Sequence, residues 1–277
     1  MKKKKLVTAE QAVSLIQNGS SIVLFDGYEP MSLIQELLRQ NKRQLCLYSC
    51  GLTFAAALLS AGGAADDILA GCDSDSCFIP GALCVGRDIL HAQLAAAVSG
   101  SDYAAVEVPE RLLEEAPELY RRTCRIFGIG TQTAAAALHP DVAILHAARA
   151  DFYGNIQLDP PADMRSADVL CLARAAKTVI VSAEQIVSDD AIRMNALCGL
   201  LDPEAVTCVV EAPYGAHPTA FATRYRADTA LRKAAKTGEG SAAFVQRLLS
   251  FPDWNGYLAG LGFERLISLT TNRRGES

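Results

Sequence analysis

Apolar residues follow two alternating rhythms along the first third of the chain. Residues 21–25 form a short β-branched and aromatic run closed by Asp26-Gly27, which predicts a strand and a glycine turn. Residues 31–40 then place Leu33, Ile34, Leu37 and Leu38 at helical spacing. The strand pattern returns at residues 44–48 and ends in Ser49-Cys50-Gly51, after which residues 54–59 are helical. Upstream, Thr8-Ala9-Glu10-Gln11 spells an N-cap with a capping-box acceptor, and Ala12, Leu15 and Ile16 supply one apolar face. A first helix is expected to reach Asn18-Gly19, so the chain begins with a helix followed by a βαβα run.

Residues 62–101 mix small residues, glycines and aspartates around one clear helix at 88–98. Beyond them the pattern predicts a strand at 103–108, a helix at 109–120 with Pro109 near its first turn, and a strand at 124–127 before Gly128-Ile129-Gly130. A strongly apolar strand follows at 142–146, and Gly154-Asn155 makes a turn before residues 156–158. Two further strands are expected at 178–182 and 206–210, and helices at 240–249 and 254–261 close the chain by clasping the domain or a partner. Strands alternating with helices predict an α/β fold, with a mostly parallel sheet and helices on both faces. A single domain over residues 1–277 is expected.

Composition narrows the classes of function. Half the residues are hydrophobic and 21% are charged, the profile of a folded chain with a well-buried core. Lys and Arg number 26 against 31 Asp and Glu, so the net charge of -5 leaves no electrostatic footprint for nucleic acid. Four lysines at residues 2–5 imitate the start of a signal peptide, yet polar residues stand where its apolar segment belongs. A cytoplasmic location is expected. The longest apolar stretches, such as residues 94–98, fall far short of the roughly 20 residues a bilayer requires, so no membrane span is expected. Nine cysteines form no CxxC pair and their number is odd, which favours reduced thiols. Cys72, Cys77, Cys84 and Asp73 lie close in sequence, but a metal needs four convergent ligands, so the expectation is small core or loop cysteines and no metal.

Three segments of the second half carry a more specific pattern. His139 to His146 reads HPDVAILH and leads to ADFYGN at 150–155; AAKTVIVSAEQIV follows at 175–187 and VVEAPYGAHP at 209–218. In this order and spacing they resemble the alpha subunit of the glutaconate-type CoA-transferases, and the N-terminal layout agrees. The resemblance implies the CoA-transferase fold, a coenzyme A thioester as substrate and no permanently bound cofactor. It also implies transfer of CoA between carboxylic acids through a glutamyl-CoA thioester, at the junction with a beta-like subunit in a heterotetramer of two alpha and two beta chains. In such pairs the nucleophilic glutamate belongs to the beta subunit. The Glu239-Gly240 pair here lies in a polar linker and not after a buried strand, so the nucleophile is expected on another chain.

Candidate site residues follow, each with an ordinary structural alternative. Asp26-Gly27-Tyr28-Glu29-Pro30 occupies the turn that is glycine-rich in the family, where backbone amides approach a carboxylate or thioester oxygen; only one glycine remains. Gly27 and Tyr28 are candidates for substrate binding there. Ser49, Cys50 and Gly51 are candidates at the next strand end, or form a plain glycine turn. Tyr214 and His217 sit in a loop fixed by Pro213 and Pro218, expected to lift them outward toward a partner or substrate. Glu184 either meets substrate or partner or caps a helix, and His146 reads as a hydrogen-bonded core histidine. Glu107 and, beyond it, Glu110 are candidate catalytic acids if the chain has turned to hydrolysis or decarboxylation of acyl-CoA; the alternative is a pair of helix-start carboxylates. The connection from Phe127 to His139 is shorter than in relatives, which suggests a remodelled pocket. A non-catalytic binding subunit of the same fold is the third reading.

Overall fold

In the computed structural model, which describes residues 3–72, 77–124, 131–158, 164–193, 200–221, 224–235 and 238–270, the centre of the molecule is strand β1 (Ser21–Phe25). Its residues are buried from Ile22 onward, as a strand covered on both faces must be. Alternation sends Ile22 and Leu24 into one apolar core and Val23 and Phe25 into the other. On one side β1 pairs in parallel with β2 (Leu45–Cys50), followed by β3 (Ala65–Gly71) and β4 (Leu83–Val85). Strands β5 (Tyr103–Ala105), β6 (Tyr120–Cys124) and β7 (Thr131–Ala136) form a separate antiparallel sheet. On the other side of β1 lies β8 (Val142–Ala150), whose end turns back antiparallel through β9 (Ile156–Gln157). Strand β10 (Thr178–Ile186) runs parallel to β8; β11 (Leu200–Leu201) pairs with β9, and β12 (Cys208–Glu211) completes the parallel run beside β10.

Chain order thus moves outward twice, from β1 to β4 in one direction and through β8, β10 and β12 in the other. The reversal between β1 and β8 is a topological switch point, where loops leaving the carboxyl ends of adjacent strands diverge and open a crevice. The expected mostly parallel sheet with helices on both faces is therefore observed.

Helix α1 (Ala9–Ser14) begins at Thr8, whose hydroxyl accepts from the Gln11 amide while the Gln11 side chain accepts from the Thr8 amide. With α2 (Met31–Arg39) and α3 (Phe54–Ala61) it covers the Ile22 face. The Val23 face lies under α4 (Arg87–Ser99), α5 (Glu110–Glu115) and α6 (Met164–Leu172). Helix α5 is shorter than expected because Pro117 forces Ala116 out of the helical region, to φ -141°. The chain can then begin β6 at Tyr120; residues 125–127 of the strand expected at 124–127, and Gly128-Ile129-Gly130, lie outside the described residues. A short α7 (Asp189–Arg193) precedes β11, and α8 (Thr229–Ala234), α9 (Gly238–Leu249), α10 (Trp254–Leu261) and α11 (Phe263–Leu269) end the fold. Glu239-Gly240, expected in a linker, instead falls in the first turn of α9. The closing helices clasp the domain itself: Phe244 packs on Phe54 at 5.8 Å, and the Gln35 side chain donates to the Leu248 carbonyl at 2.8 Å. Among the described residues no helix is long and apolar enough to cross a membrane.

Candidate functional site

Two turns meet where β1 and β2 end. The Asp26 amide donates to the Cys50 carbonyl at 3.2 Å, so the turn after β1 is tied to the turn after β2. Gly27 has φ +82° and Gly51 φ +110°, both in the region that favours glycine. At Gly51 a Cβ would also come within 2.8 Å of the Asp26 Cβ, which makes this close approach of the two turns specific to glycine. Ser49 was expected to offer its hydroxyl to substrate, but the group is fully buried. It donates to the Gly51 carbonyl at 2.7 Å and shares a 2.7 Å hydrogen bond with Thr53, the N-cap of α3. Its work is to shape the turn. Burial pushes the Cys50 thiol up to about 12, against the charge of Arg87, so Cys50 is a neutral wall and not a nucleophile.

Glu29 is the unusual group of this region. It is only 3% exposed, and its Oε2 accepts from the Ala55 amide at 2.6 Å, in the first turn of α3. Burial, reinforced by the neighbouring Asp26 charge, pushes its carboxyl up to about 8; the Ala55 amide and the Arg232 charge work in the opposite direction. At neutral pH the group is mostly protonated.

Asp26 stands between two clefts. One, on the Val23 side of the sheet, is bordered by Phe25, Cys50, Arg87, His91 and Asp168, with Arg87 Nη2 3.8 Å from Asp26 Oδ2. The other, about 1040 Å³ with its open mouth, has an apolar wall of Leu52, Phe54 and Phe78 and a cationic rim of Arg232 and Lys233. That combination suits an acyl chain carrying a negative charge.

The cationic rim is positioned from a distance. Helix α8 buries none of its own residues and is held by its N-cap, Asp228. The Asp228 carboxylate accepts from the Leu231 amide at 3.1 Å and from the Arg265 fork at 2.6 and 2.9 Å. Burial opposes its charge, but Arg265 and the amide outweigh it and hold the carboxyl below its usual range. The Asp228 amide in turn donates to the Pro218 carbonyl at 3.0 Å, anchoring α8 to the loop after β12.

That loop, residues 212–218, was expected to raise Tyr214 and His217 outward. His217 instead points into the protein and is fully buried. Its Nδ1 shares a 2.9 Å hydrogen bond with the Tyr257 hydroxyl, and its Nε2 lies 3.5 Å from Asp228 without an aligned bond. Burial, only partly offset by Asp228, lowers its pKa to about 4, so the ring is neutral at physiological pH. The inward turn has a visible cause in α10, where the Trp254 indole donates to the Pro213 carbonyl at 3.0 Å. Tyr214 is half-buried, with its hydroxyl 2.9 Å from Thr270.

Beneath the loop lies a closed polar centre. His146 on β8 and Ser182 on β10 are register partners, and Glu184 follows on the same face two residues later. His146 Nδ1 contacts Ser182 Oγ at 2.8 Å and Nε2 contacts Glu184 Oε1 at 2.7 Å. Glu184 also accepts from the Tyr225 hydroxyl at 2.7 Å and from the amides of Tyr214 and Gly215 at 2.8 and 3.2 Å. Burial works against its charge, but His146, Tyr225 and the Tyr214 amide together hold the carboxyl below its ordinary range. A Cβ on Gly215 would stand 2.5 Å from His146 Cε1, so the loop is seated directly on the histidine. The His146 amide donates to the Tyr28 carbonyl at 2.8 Å, joining this centre to the turn after β1.

The structure therefore gathers Gly27, Tyr28, Ser49, Cys50 and Gly51, and sets Tyr214 and His217 in the adjoining loop. It does not bring Glu107 to them. β5 ends at Ala105, and Glu107 is exposed in a different cleft beside Cys72, Cys84 and Asp88. Glu110 is exposed as well, paired with Arg122. Sequence reasoning missed Glu29 as a separate candidate, although a carboxylate just after a strand-end glycine was a usable signal. Arg232 carries no local signal, since only the fold brings it near residue 26.

Comparison with known proteins bears on the fold and the family. The coenzyme A transferase family model matches residues 6–198. The A subunit of glutaconate CoA-transferase from Acidaminococcus fermentans is 36% identical over 134 residues, which are 47% of this chain and 41% of that one. The matched stretch thus spans less than half of that relative's length. The A subunit of 3-oxoadipate CoA-transferase from Pseudomonas knackmussii is 28% identical over 238 residues, covering 78% of this chain and 81% of that protein. In fold, the crystal structure of glutaconate coenzyme A-transferase from A. fermentans superposes with a TM-score of 0.84 at 23% identity, covering 97% and 96% of the two chains. A variant of the decarboxylase AibA/AibB gives a TM-score of 0.71 at 26% identity, over 90% of this chain and all of the other. The chain belongs to the coenzyme A transferase family.

Proposed function

We propose that this chain is the alpha-like subunit of a heteromeric CoA-transferase that moves CoA between carboxylic acids, with the nucleophilic glutamate on a beta-like partner. The observation that carries the reading is the cleft at the carboxyl ends of β1 and β2, apolar along Leu52, Phe54 and Phe78 and cationic at Arg232 and Lys233. Such a site orients an acid or its thioester, with the positive rim answering a carboxylate or another anionic group of the substrate. Two of the three carboxylates nearby are engaged otherwise. Glu184 is spent on its hydrogen bonds, Glu29 is protonated, and Asp26 lies beside Arg87. A partner's glutamate, desolvated at the junction, then attacks the thioester carbonyl and displaces CoA as its thiolate; the thiolate attacks the glutamyl carbon of the resulting mixed anhydride, forming the glutamyl-CoA thioester and releasing the first acid as its carboxylate. Phe263 and Ile267, one turn apart on α11 and 76% and 51% exposed, suit a face covered in a heterotetramer.

The test is to co-express the chain with the beta-like subunit, incubate with an acyl-CoA, and locate the CoA adduct by peptide mass spectrometry. The adduct is expected on a glutamate of the partner; an adduct on this chain overturns the assignment. A second reading, decarboxylation of an acyl-CoA, draws on Glu29, because a carboxyl kept neutral at pH 7 is a ready proton donor. It predicts release of carbon dioxide from the acyl-CoA without any acceptor acid. Glu107 has no part in either reading, because it lines another cleft.

A further inference from the structure

The three cysteines that sequence spacing left as ordinary core or loop residues converge in space. Cys72 follows β3 directly, Cys84 lies within β4, and Cys77 comes from the connection between these two strands. Parallel pairing of Ala70 with Cys84 sets the register that brings their ends together. All three sulfurs lie within 4.8 Å of one another, and Cys72 Sγ is 3.7 Å from Cys84 Sγ.

We propose that Cys72, Cys77 and Cys84 form a three-thiolate site for a zinc-class divalent cation, completed by an exchangeable fourth ligand. In a tetrahedral site with metal–sulfur bonds of about 2.3 Å, neighbouring sulfurs stand roughly 3.8 Å apart, so the Cys72–Cys84 spacing already matches one edge. Closing the other two edges takes movements smaller than a side-chain rotation. Cys72 and Cys77 are only half-buried, so close packing of small apolar side chains does not account for the cluster. Three sulfurs cannot all be paired as disulfides, whereas one cation satisfies all three. On binding, each thiol gives its proton to solvent and no electron moves, so the site carries one net negative charge. Arg111 answers that charge, with its guanidinium donating to the Cys84 carbonyl at 2.8 Å. Cys72 and Cys84 also border the open cleft with Asp88 and Glu107, from which water or a carboxylate can supply the fourth ligand.

The site has a structural consequence for the substrate region. Arg87, which approaches Asp26, stands three residues after Cys84, so a cation that pins β4 to the end of β3 also fixes the start of α4. The experiment uses the full chain together with its co-purifying partner, isolated without chelators, and measures metal by plasma mass spectrometry. Close to one zinc per chain is expected, replaceable by Co²⁺ with sulfur-to-cobalt charge-transfer absorption. Cys72→Ser and Cys84→Ser should each lose the bound zinc and that absorption, while Cys171→Ser, at an exposed thiol, keeps both. The proposal is overturned by a reduced wild-type protein that cannot be loaded with zinc, or by zinc retained in both serine variants. A mass two hydrogens lower, from a native Cys72–Cys84 disulfide, also overturns it. If the serine variants do not fold, the wild-type cobalt spectrum decides, and absence of a sulfur band sinks the idea.

Discussion

Two polar centres lie at the same edge of the sheet, and they are built on opposite terms. Around Glu184 every polar atom is answered: His146, Tyr225 and two loop amides converge on one carboxylate whose pKa is lowered. Around Glu29 a carboxyl is buried against the first amides of α3, those of Phe54 and Ala55, and its pKa is nonetheless raised to about 8, next to a cleft with Arg232 and Lys233 at its rim. The first arrangement is closed and holds the loop after β12 in place. The second leaves charge and space unassigned, as a site that must receive a ligand does. Histidine and glutamate, the residue types that attract mechanistic attention, here form the scaffold.

Breaking the closed centre should have the largest effect. Glu184→Ala strands the histidine, the tyrosine hydroxyl and two amides in a buried place, and is expected to cost at least about 5 kcal/mol, measured by urea unfolding. Gln at the same position keeps part of the hydrogen bonding and should cost less. A loss below about 1 kcal/mol for the alanine variant would show that the network does not hold the loop.

Glu29→Gln acts in the opposite sense. The unfolded carboxyl ionises near 4.5 while the buried one stays protonated to about 8, so the folded state holds more protons between these values. Wild-type stability contributed by this group is therefore intact below pH 4.5 and is lost as the pH rises toward 8. The glutamine variant lacks that loss and should be more stable than wild type at pH 9, by on the order of 5 kcal/mol, with the difference vanishing near pH 4. A difference that does not vary with pH contradicts the raised pKa. The smallest effect is expected at Arg87→Ala: its contact with Asp26 is long and both groups are nearly half exposed, so stability should change by less than about 1 kcal/mol.

Much of the fold was legible because apolar periodicity was strong where it mattered. Residues 21–25 and 254–261 form the expected strand and helix, and Thr8 makes its capping box. Strand β7 is not legible in the pattern because the second half of Thr131–Ala136 is all alanine, which gives no period-two contrast. Strand β3 was hidden by Asp66 and Asp67, exposed at its start. The family motifs pointed to the right loops, but not to the direction of their side chains. His217 turns inward because Trp254 and Asp228 arrive from distant segments, and Ser49 is consumed by Thr53. The cysteine cluster depends on the register of β3 against β4, which spacing alone does not reveal.

The contrast between scaffold and substrate cleft is tested most directly by comparing Tyr225→Phe with Arg232→Ala in the assembled enzyme, measuring thermal stability and CoA-transfer kinetics on both. Losing the Tyr225 hydroxyl, which donates to Glu184 and accepts from the Ala216 amide, should lower stability by about 2–3 kcal/mol and leave kcat/KM of the folded enzyme unchanged. Losing the exposed Arg232 should leave stability unchanged and raise KM for the anionic substrate roughly 10-fold or more. The reverse pattern, with kinetics failing at Tyr225 and stability at Arg232, would place the chemistry in the closed centre and contradict the account.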